Sequence, residues 1–188
     1  MIQRFTFGCP LPTESVVLPV EPAAAAVPHL TAEPDGSWSF SLAEDAVVYG
    51  LGEMPRGINK RGWHYVADNT DESHHGENRL SYYGAHNFLL IDGGAGRSVF
   101  GVFVDFPGKV FYDIGYTRHD RLTFRTEEPD YDLYILTGDS PNAVCTEFRK
   151  LIGHSYIPPK WAFGATQSRW SYMNEDEVRE VVANYRTN

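Results

Sequence analysis

From residue 38 onward the chain falls into short runs rich in β-branched and aromatic residues: 38–42, 47–51, 87–91, 98–105, 109–114, 122–125 and 131–136. Runs of this length and composition, bounded by turn formers, predict strands. Their separators include Asp92-Gly93-Gly94-Ala95-Gly96, Phe106-Pro107-Gly108 and Glu128-Pro129-Asp130. These residues accept positive φ or fix φ for a turn. The run Val99-Phe100-Gly101-Val102-Phe103-Val104 carries no polar side chain on either face, so it reads as a central strand covered on both sides. Alternation in 131–136 holds for only part of its length. The expected class is mainly β, an antiparallel β-sandwich. Ahead of it, Pro10, Pro12, Pro19, Pro22, Pro28 and Pro34 deny donors to any central strand, and the first thirty-odd residues read as a loosely paired lead-in.

The period changes at Ser140. Ser140 can cap a helix, Pro141 suits its first position, and Val144, Phe148, Leu151 and Ile152 share one face before Gly153 ends it. Ile157-Pro158-Pro159-Lys160 then acts as a stiff connector, which places a domain boundary there: residues 1–155 and residues 156–188. Beyond it, 161–168 reads as a strand and 169–172 as a loop. A second helix follows, with Asn174 as cap, Glu177 three residues on, and an apolar stripe of Val178, Val181, Val182 and Tyr185. One βα unit cannot close a core alone. The sequence therefore reads as truncated or as borrowing a partner, and association into homo-oligomers is expected.

Composition narrows the function classes. Hydrophobic residues make up 42% and charged residues 22% of the 188, a globular balance, and the formal net charge of −9 repels phosphate backbones and anionic lipid. No nucleic acid and no membrane is expected as partner. Two distant cysteines, Cys9 and Cys145, give no disulfide framework, and the first ten residues lack the apolar run of a signal peptide, so a cytoplasmic location is expected. No phosphate-cradling glycine motif or nucleophile elbow occurs. His74-His75 with Glu77 lacks a third metal ligand at defined spacing. Neither a metal nor any other cofactor is expected.

Several segments in order carry a resemblance: Tyr49-Gly50-Leu51-Gly52-Glu53, Asn69-Thr70-Asp71, Tyr83-Gly84-Ala85-His86-Asn87-Phe88, and Pro158-Pro159-Lys160-Trp161-Ala162-Phe163-Gly164 running into Gln167-Ser168-Arg169-Trp170-Ser171-Tyr172. Together they resemble glycoside hydrolase family 31, especially bacterial α-glucosidases. The resemblance implies a galactose-mutarotase-like sandwich, then the first strand and helix of a (β/α)8 barrel. It also implies retaining hydrolysis of terminal α-linked glucose from oligosaccharides or α-glucosides by two Asp residues on later barrel strands. Those positions would lie beyond Asn188, so the segment by itself is expected to be inactive and to hold no catalytic residue.

Two residues match family positions that line the sugar pocket. Asp71, in the loop 68–79, would face the leaving-group sugar, where a carboxylate accepts from vicinal hydroxyls. Read without the resemblance, it is a solvated acidic loop residue beside Glu72 and Glu77. Trp170 would offer an apolar face and one N–H donor to a pyranose; read alone, it is a packing aromatic. Arg169 suits a structural salt bridge and His86 a structural hydrogen bond. Two other readings stay open: a carbohydrate-binding or barrel-supporting sandwich without catalysis, and, within the family, an α-xylosidase.

Overall fold

The strand runs pair as antiparallel ladders in a computed structural model that describes every residue except 25, 26, 28, 95 and 188. Pro28, Ala95 and Asn188, named in the sequence reading, therefore lie outside the described residues. In chain order the strands are β1 (Ile2–Phe7), β2 (Leu30–Ala32), β3 (Trp38–Ser41), β4 (Val47–Gly52), β5 (Trp63–Ala67), β6 (Ala85–Asp92), β7 (Val99–Asp105), β8 (Val110–Ile114), β9 (Arg121–Thr126) and β10 (Tyr131–Gly138). Helix α1 (Pro141–Ile152) and helix α2 (Glu175–Thr187) follow. The strands form two five-stranded sheets, ordered β1-β10-β7-β6-β4 and β2-β3-β9-β8-β5. The chain divides into two compact units, Met1–His154 and Ser155–Asn188.

The first unit is a sandwich with a helix laid on one outer face. Leu89, Ile91, Val102, Val104, Leu133 and Ile135 point from the first sheet into the inter-sheet core, where they meet Phe40, Tyr65, Tyr112, Ile114, Leu122 and Phe124 of the second. The alternate positions Leu90, Phe103, Tyr134 and Leu136 pack on the other side against Val144, Phe148 and Leu151 of α1. This double covering is why β7 and β10 read as apolar with weak alternation. Gly101 sits under the helix, where a Cβ would come within 2.8 Å of the Phe88 ring and 2.9 Å of Val144. The strand gives up a side chain there so that α1 can lie close.

Ser140 Oγ accepts from the Ala143 amide at 3.2 Å, and Gly153 closes α1 with φ 83°. Ser140→Ala is expected to cost about 1 kcal/mol, a typical value for losing such a cap, read as a lower urea midpoint at unchanged m.

Three strands depart from the sequence reading. The lead-in is less loose than its prolines suggest, because β1 pairs along its whole length with β10 from Ile2↔Leu136 to Phe7↔Tyr131. Farther along, the Val17 and Leu18 amides both donate to the Leu151 carbonyl at the end of α1. β2 occupies three residues between the prolines, pairing only β3, and β5 pairs β8 at the sheet edge. Edge positions tolerate neighbouring prolines because one row of backbone groups faces away from the ladder.

β4 contains an irregularity with consequences for stability. Gly50, Leu51 and Gly52 all have positive φ (121°, 68° and 72°), and the pairing to β6 shifts register between Gly50 and Gly52. This bulge turns the fully buried Leu51 side chain into the core.

In the second unit the expected strand at 161–168 does not form. Lys160–Phe163 makes a 3-10 turn instead, and the residues between it and α2 are irregular. A parallel strand gains its hydrogen bonds from neighbours, and this unit holds none for it. The expected cap does form: Asn174 Oδ1 accepts from the Glu177 amide at 3.0 Å, and the Glu177 carboxylate accepts from the Met173 amide at 3.1 Å. Of the stripe on α2, Val178, Val182 and Tyr185 are exposed, as are Trp161 and Phe163. Among the described residues no helix is long and apolar enough to cross a membrane.

Candidate functional site

The loop 68–84 joins β5 to β6 and carries Asp71. Its stem is built by ladder-like bonds that continue past the strands. The Val66 amide donates to Leu80 O at 3.0 Å and the Thr70 amide to Tyr82 O at 3.3 Å. Ser81 Oγ donates to Asp68 O at 2.7 Å, and Asn69 Oδ1 accepts from the Ala85 amide at 2.6 Å. The outer part is tied by side chains. Glu72 takes the His74 amide at 2.8 Å and Arg79 Nε at 3.2 Å, while the Tyr82 phenol donates to Gly76 O at 3.0 Å. Such a loop holds its shape through its own polar groups, since only Asp68, Glu72, Gly76, Ser81, Tyr82 and Gly84 are withdrawn from full exposure.

Asp71 is exposed on this frame, with its carboxylate beside the Tyr83 phenol. The Asp71 carboxylate holds the Tyr83 phenol above its usual pKa, because ionising it would place two negative charges together. Sequence reasoning passed over Tyr83. Its contact spans twelve residues of irregular chain, and the only sequence hint is the aromatic pair Tyr82-Tyr83 inside an otherwise polar loop. The His75 ring lies against both tyrosines, at 4.9 and 5.4 Å between centroids, and His74 Nδ1 lies 3.0 Å from Ser73 Oγ. These histidines pack the loop. Among the described residues no group of three or more His, Cys, Asp or Glu side chains could hold a metal.

Trp170 belongs to the second unit, in the irregular stretch before α2, and is 98% exposed. It is not packed under a loop: both faces of its indole are free within that unit. Among the described residues the Arg169 guanidinium lies over the Tyr172 ring, 5.1 Å from the centroid. Gln167 accepts from the Tyr185 phenol at 2.7 Å, fixing one end of the stretch to α2.

His86 opens β6 on the face covered by α1. Its ring stacks near Phe103 at 5.9 Å and meets Phe148 edge-on at 5.6 Å. Although the residue is exposed, the two rings take water from one side of the imidazole, and that partial desolvation pushes its pKa below the ordinary histidine value.

The order of elements, the Asp71 loop and the Trp170 stretch can be set beside known proteins. Residues 21–113 match the glycosyl hydrolase 31 N-terminal galactose mutarotase-like domain, and residues 155–188 match the glycosyl hydrolases family 31 TIM-barrel domain. The chain belongs to glycoside hydrolase family 31. Alpha-glucosidase 2 of Bacillus thermoamyloliquefaciens is 34% identical over 149 residues, which are 78% of this chain and 18% of that protein. Alpha-xylosidase 1 of Arabidopsis thaliana is 31% identical over 160 residues, 79% of this chain and 16% of that protein. Among solved structures, the family 31 dextranase of Flavobacterium johnsoniae complexed with glucose superposes with a TM-score of 0.68 at 27% identity, covering 87% of this chain and 20% of that one. This family 31 chain thus spans about a fifth of the length of the relatives it matches. It comprises the family's N-terminal sandwich and the opening of its barrel region.

Proposed function

We propose that the whole protein is a retaining α-glucosidase that releases terminal α-linked glucose from oligosaccharides, with Asp71 and Trp170 each as a substrate-binding residue. The observation that carries this reading is family membership together with an α-glucosidase relative at 34% identity. In this reading the Asp71 carboxylate, beside the Tyr83 phenol, accepts from hydroxyls of the leaving-group sugar, and charge assistance makes those bonds strong and directional. The Trp170 indole supplies an apolar face to the pyranose C–H side and one N–H donor. The nucleophile and the general acid are assigned to barrel positions outside these 188 residues, so this segment alone cleaves nothing. A reducing compartment suits its two exposed, distant cysteines, and we place the protein in the cytoplasm.

The test is hydrolysis of p-nitrophenyl α-glucoside by the whole protein, with p-nitrophenyl α-xyloside in parallel. Preferential cleavage of the glucoside supports the reading; preferential cleavage of the xyloside moves it to an α-xylosidase, a specificity carried by the Arabidopsis relative. No cleavage of either overturns it. Asp71→Asn, which keeps the shape and removes the charge, is expected to lower kcat/KM on a disaccharide about tenfold, the usual effect of losing a charge-assisted hydrogen bond.

A further inference from the structure

Beside the stem of the Asp71 loop lies an open cleft of about 340 Å³, lined chiefly by Asp68, Asn69, Asn87, Lys109 and Glu127 with the 106–108 turn at its edge. Each of these side chains is held at one end. Asp68 Oδ2 pairs with Lys109 Nζ at 3.2 Å, and Glu127 Oε2 accepts from the Lys109 amide at 3.3 Å. Asn69 is fixed through Oδ1 by the Ala85 amide. Asn87 Nδ2 donates to Phe106 O at 3.4 Å, and its Oδ1 accepts from the Tyr112 phenol at 3.5 Å.

The other ends have no hydrogen-bond partner among the described residues: Asp68 Oδ1, Glu127 Oε1, Asn69 Nδ2 and the remaining ammonium protons of Lys109. The cleft thus presents acceptors and donors side by side, already positioned, so a ligand that bonds to them loses little to ordering.

The chemistry of the set selects the ligand. Two carboxylates against one ammonium repel anions such as phosphate. Lys109 Nζ already neutralises Asp68, and Glu127 is held by the Lys109 backbone amide, so a cation finds no pair of free carboxylates. The lining is too polar for an apolar ligand to replace its water without leaving charged groups unpaired. A neutral polyol meets all three conditions, because each hydroxyl donates to a carboxylate while accepting from an ammonium or amide. The position is equally telling: Asp68 and Asn69 immediately precede Thr70-Asp71, so the cleft begins within two residues of Asp71, at most about 7 Å of extended chain.

We propose that this cleft is a second saccharide-binding subsite, holding the sugar unit that lies beyond the one meeting Asp71. It rests on the reading that Asp71 contacts substrate. Short aryl glucosides would leave the cleft empty and trisaccharides would fill it. The experiment compares kcat/KM for isomaltotriose and maltotriose with kcat/KM for p-nitrophenyl α-glucoside in the whole protein and in its Lys109→Met and Glu127→Gln variants. The trisaccharide-to-aryl ratio falls about tenfold in each variant, through KM, by the loss of one charge-assisted bond. A ratio within twofold of the parent, or a parallel fall for all substrates, overturns the subsite. Glu127→Gln preserves size and shape, so it reports even where Lys109→Met unfolds. A calorimetric titration with thio-linked isomaltotriose, which is not cleaved, separates this inference from the α-glucosidase reading. Binding weakened about tenfold by Lys109→Met upholds the subsite in a protein that hydrolyses no α-glucoside, whereas absent or unchanged binding overturns it.

Discussion

Gly50→Ala is expected to destabilise the sandwich by about 3 kcal/mol, near the top of what a single strained backbone position costs. Two effects combine. Gly50 has φ 121°, a region that side chains rarely enter, and a Cβ there would stand 2.2 Å from the Phe88 carbonyl oxygen and 3.2 Å from Leu89 Cα. Backbone rather than a flexible side chain blocks it, so β4 and β6 must separate. Leu51, fully buried one residue on, would be drawn out of its place. For a protein of this size the loss corresponds to a fall of roughly 6–12 °C in Tm. Gly36→Ala is the matched control: φ is 83° but nothing lies within 4 Å of the added carbon. It should lose about 1 kcal/mol, the strain alone. Thermal melts giving equal shifts for the two variants would show that β4 can slide and that the Phe88 contact is unimportant.

Phe148→Ala carries the second large effect, about 3–5 kcal/mol by the usual cost of emptying an aromatic core position. The Phe148 ring stacks on Phe88 at 3.9 Å with planes 8° apart and meets Phe103 at 5.4 Å, so with Val144 and Leu151 it attaches α1 to the first sheet. It also shields His86. In the parent the folded pKa of His86 lies below the unfolded value. The unfolded chain therefore binds the proton first, and stability falls as pH drops below about 6.5. Without Phe148 the imidazole regains water and this sensitivity should fade. Urea melts at pH 8 and pH 5.5, with an NMR titration of His86, would show both. An unchanged His86 pKa in the variant would mean that Phe103 alone sets it.

The elements that sequence made legible are those whose signal is local. Ser140, Pro141 and Gly153 mark the ends of α1 within a residue, and Asn174 marks the start of α2, because capping is satisfied within one helical turn. Strands with strong apolar runs, such as β7 and β10, were equally plain. β1 was hidden because its partner lies over a hundred residues away and the prolines behind it argue for loose chain. β2 has only three residues, and β5 turns His64 outward toward Asp113, 3.9 Å away, which blurs its pattern. As candidate sugar contacts, Asp71 and Trp170 were proposed through ordered motifs. Tyr83 was not, since a contact across an irregular loop leaves no period to read. The run at 161–168 has a strand's composition, but composition cannot supply the neighbours a strand needs.

The pairing of Ile2 with Leu136 also sets an order of events during synthesis. β1 leaves the ribosome ahead of the other strands and finds its partner only when residues 131–138 have emerged, which at typical elongation rates takes on the order of ten seconds. Until then the first six-residue strand has no ladder, and the lead-in that follows it has no Leu151 carbonyl to grip. The sandwich is thus closed by its first strand meeting its last, a long-range step of the kind that slows folding. A ribosome stalled before residue 131 would display β1 to any chaperone or neighbouring nascent chain.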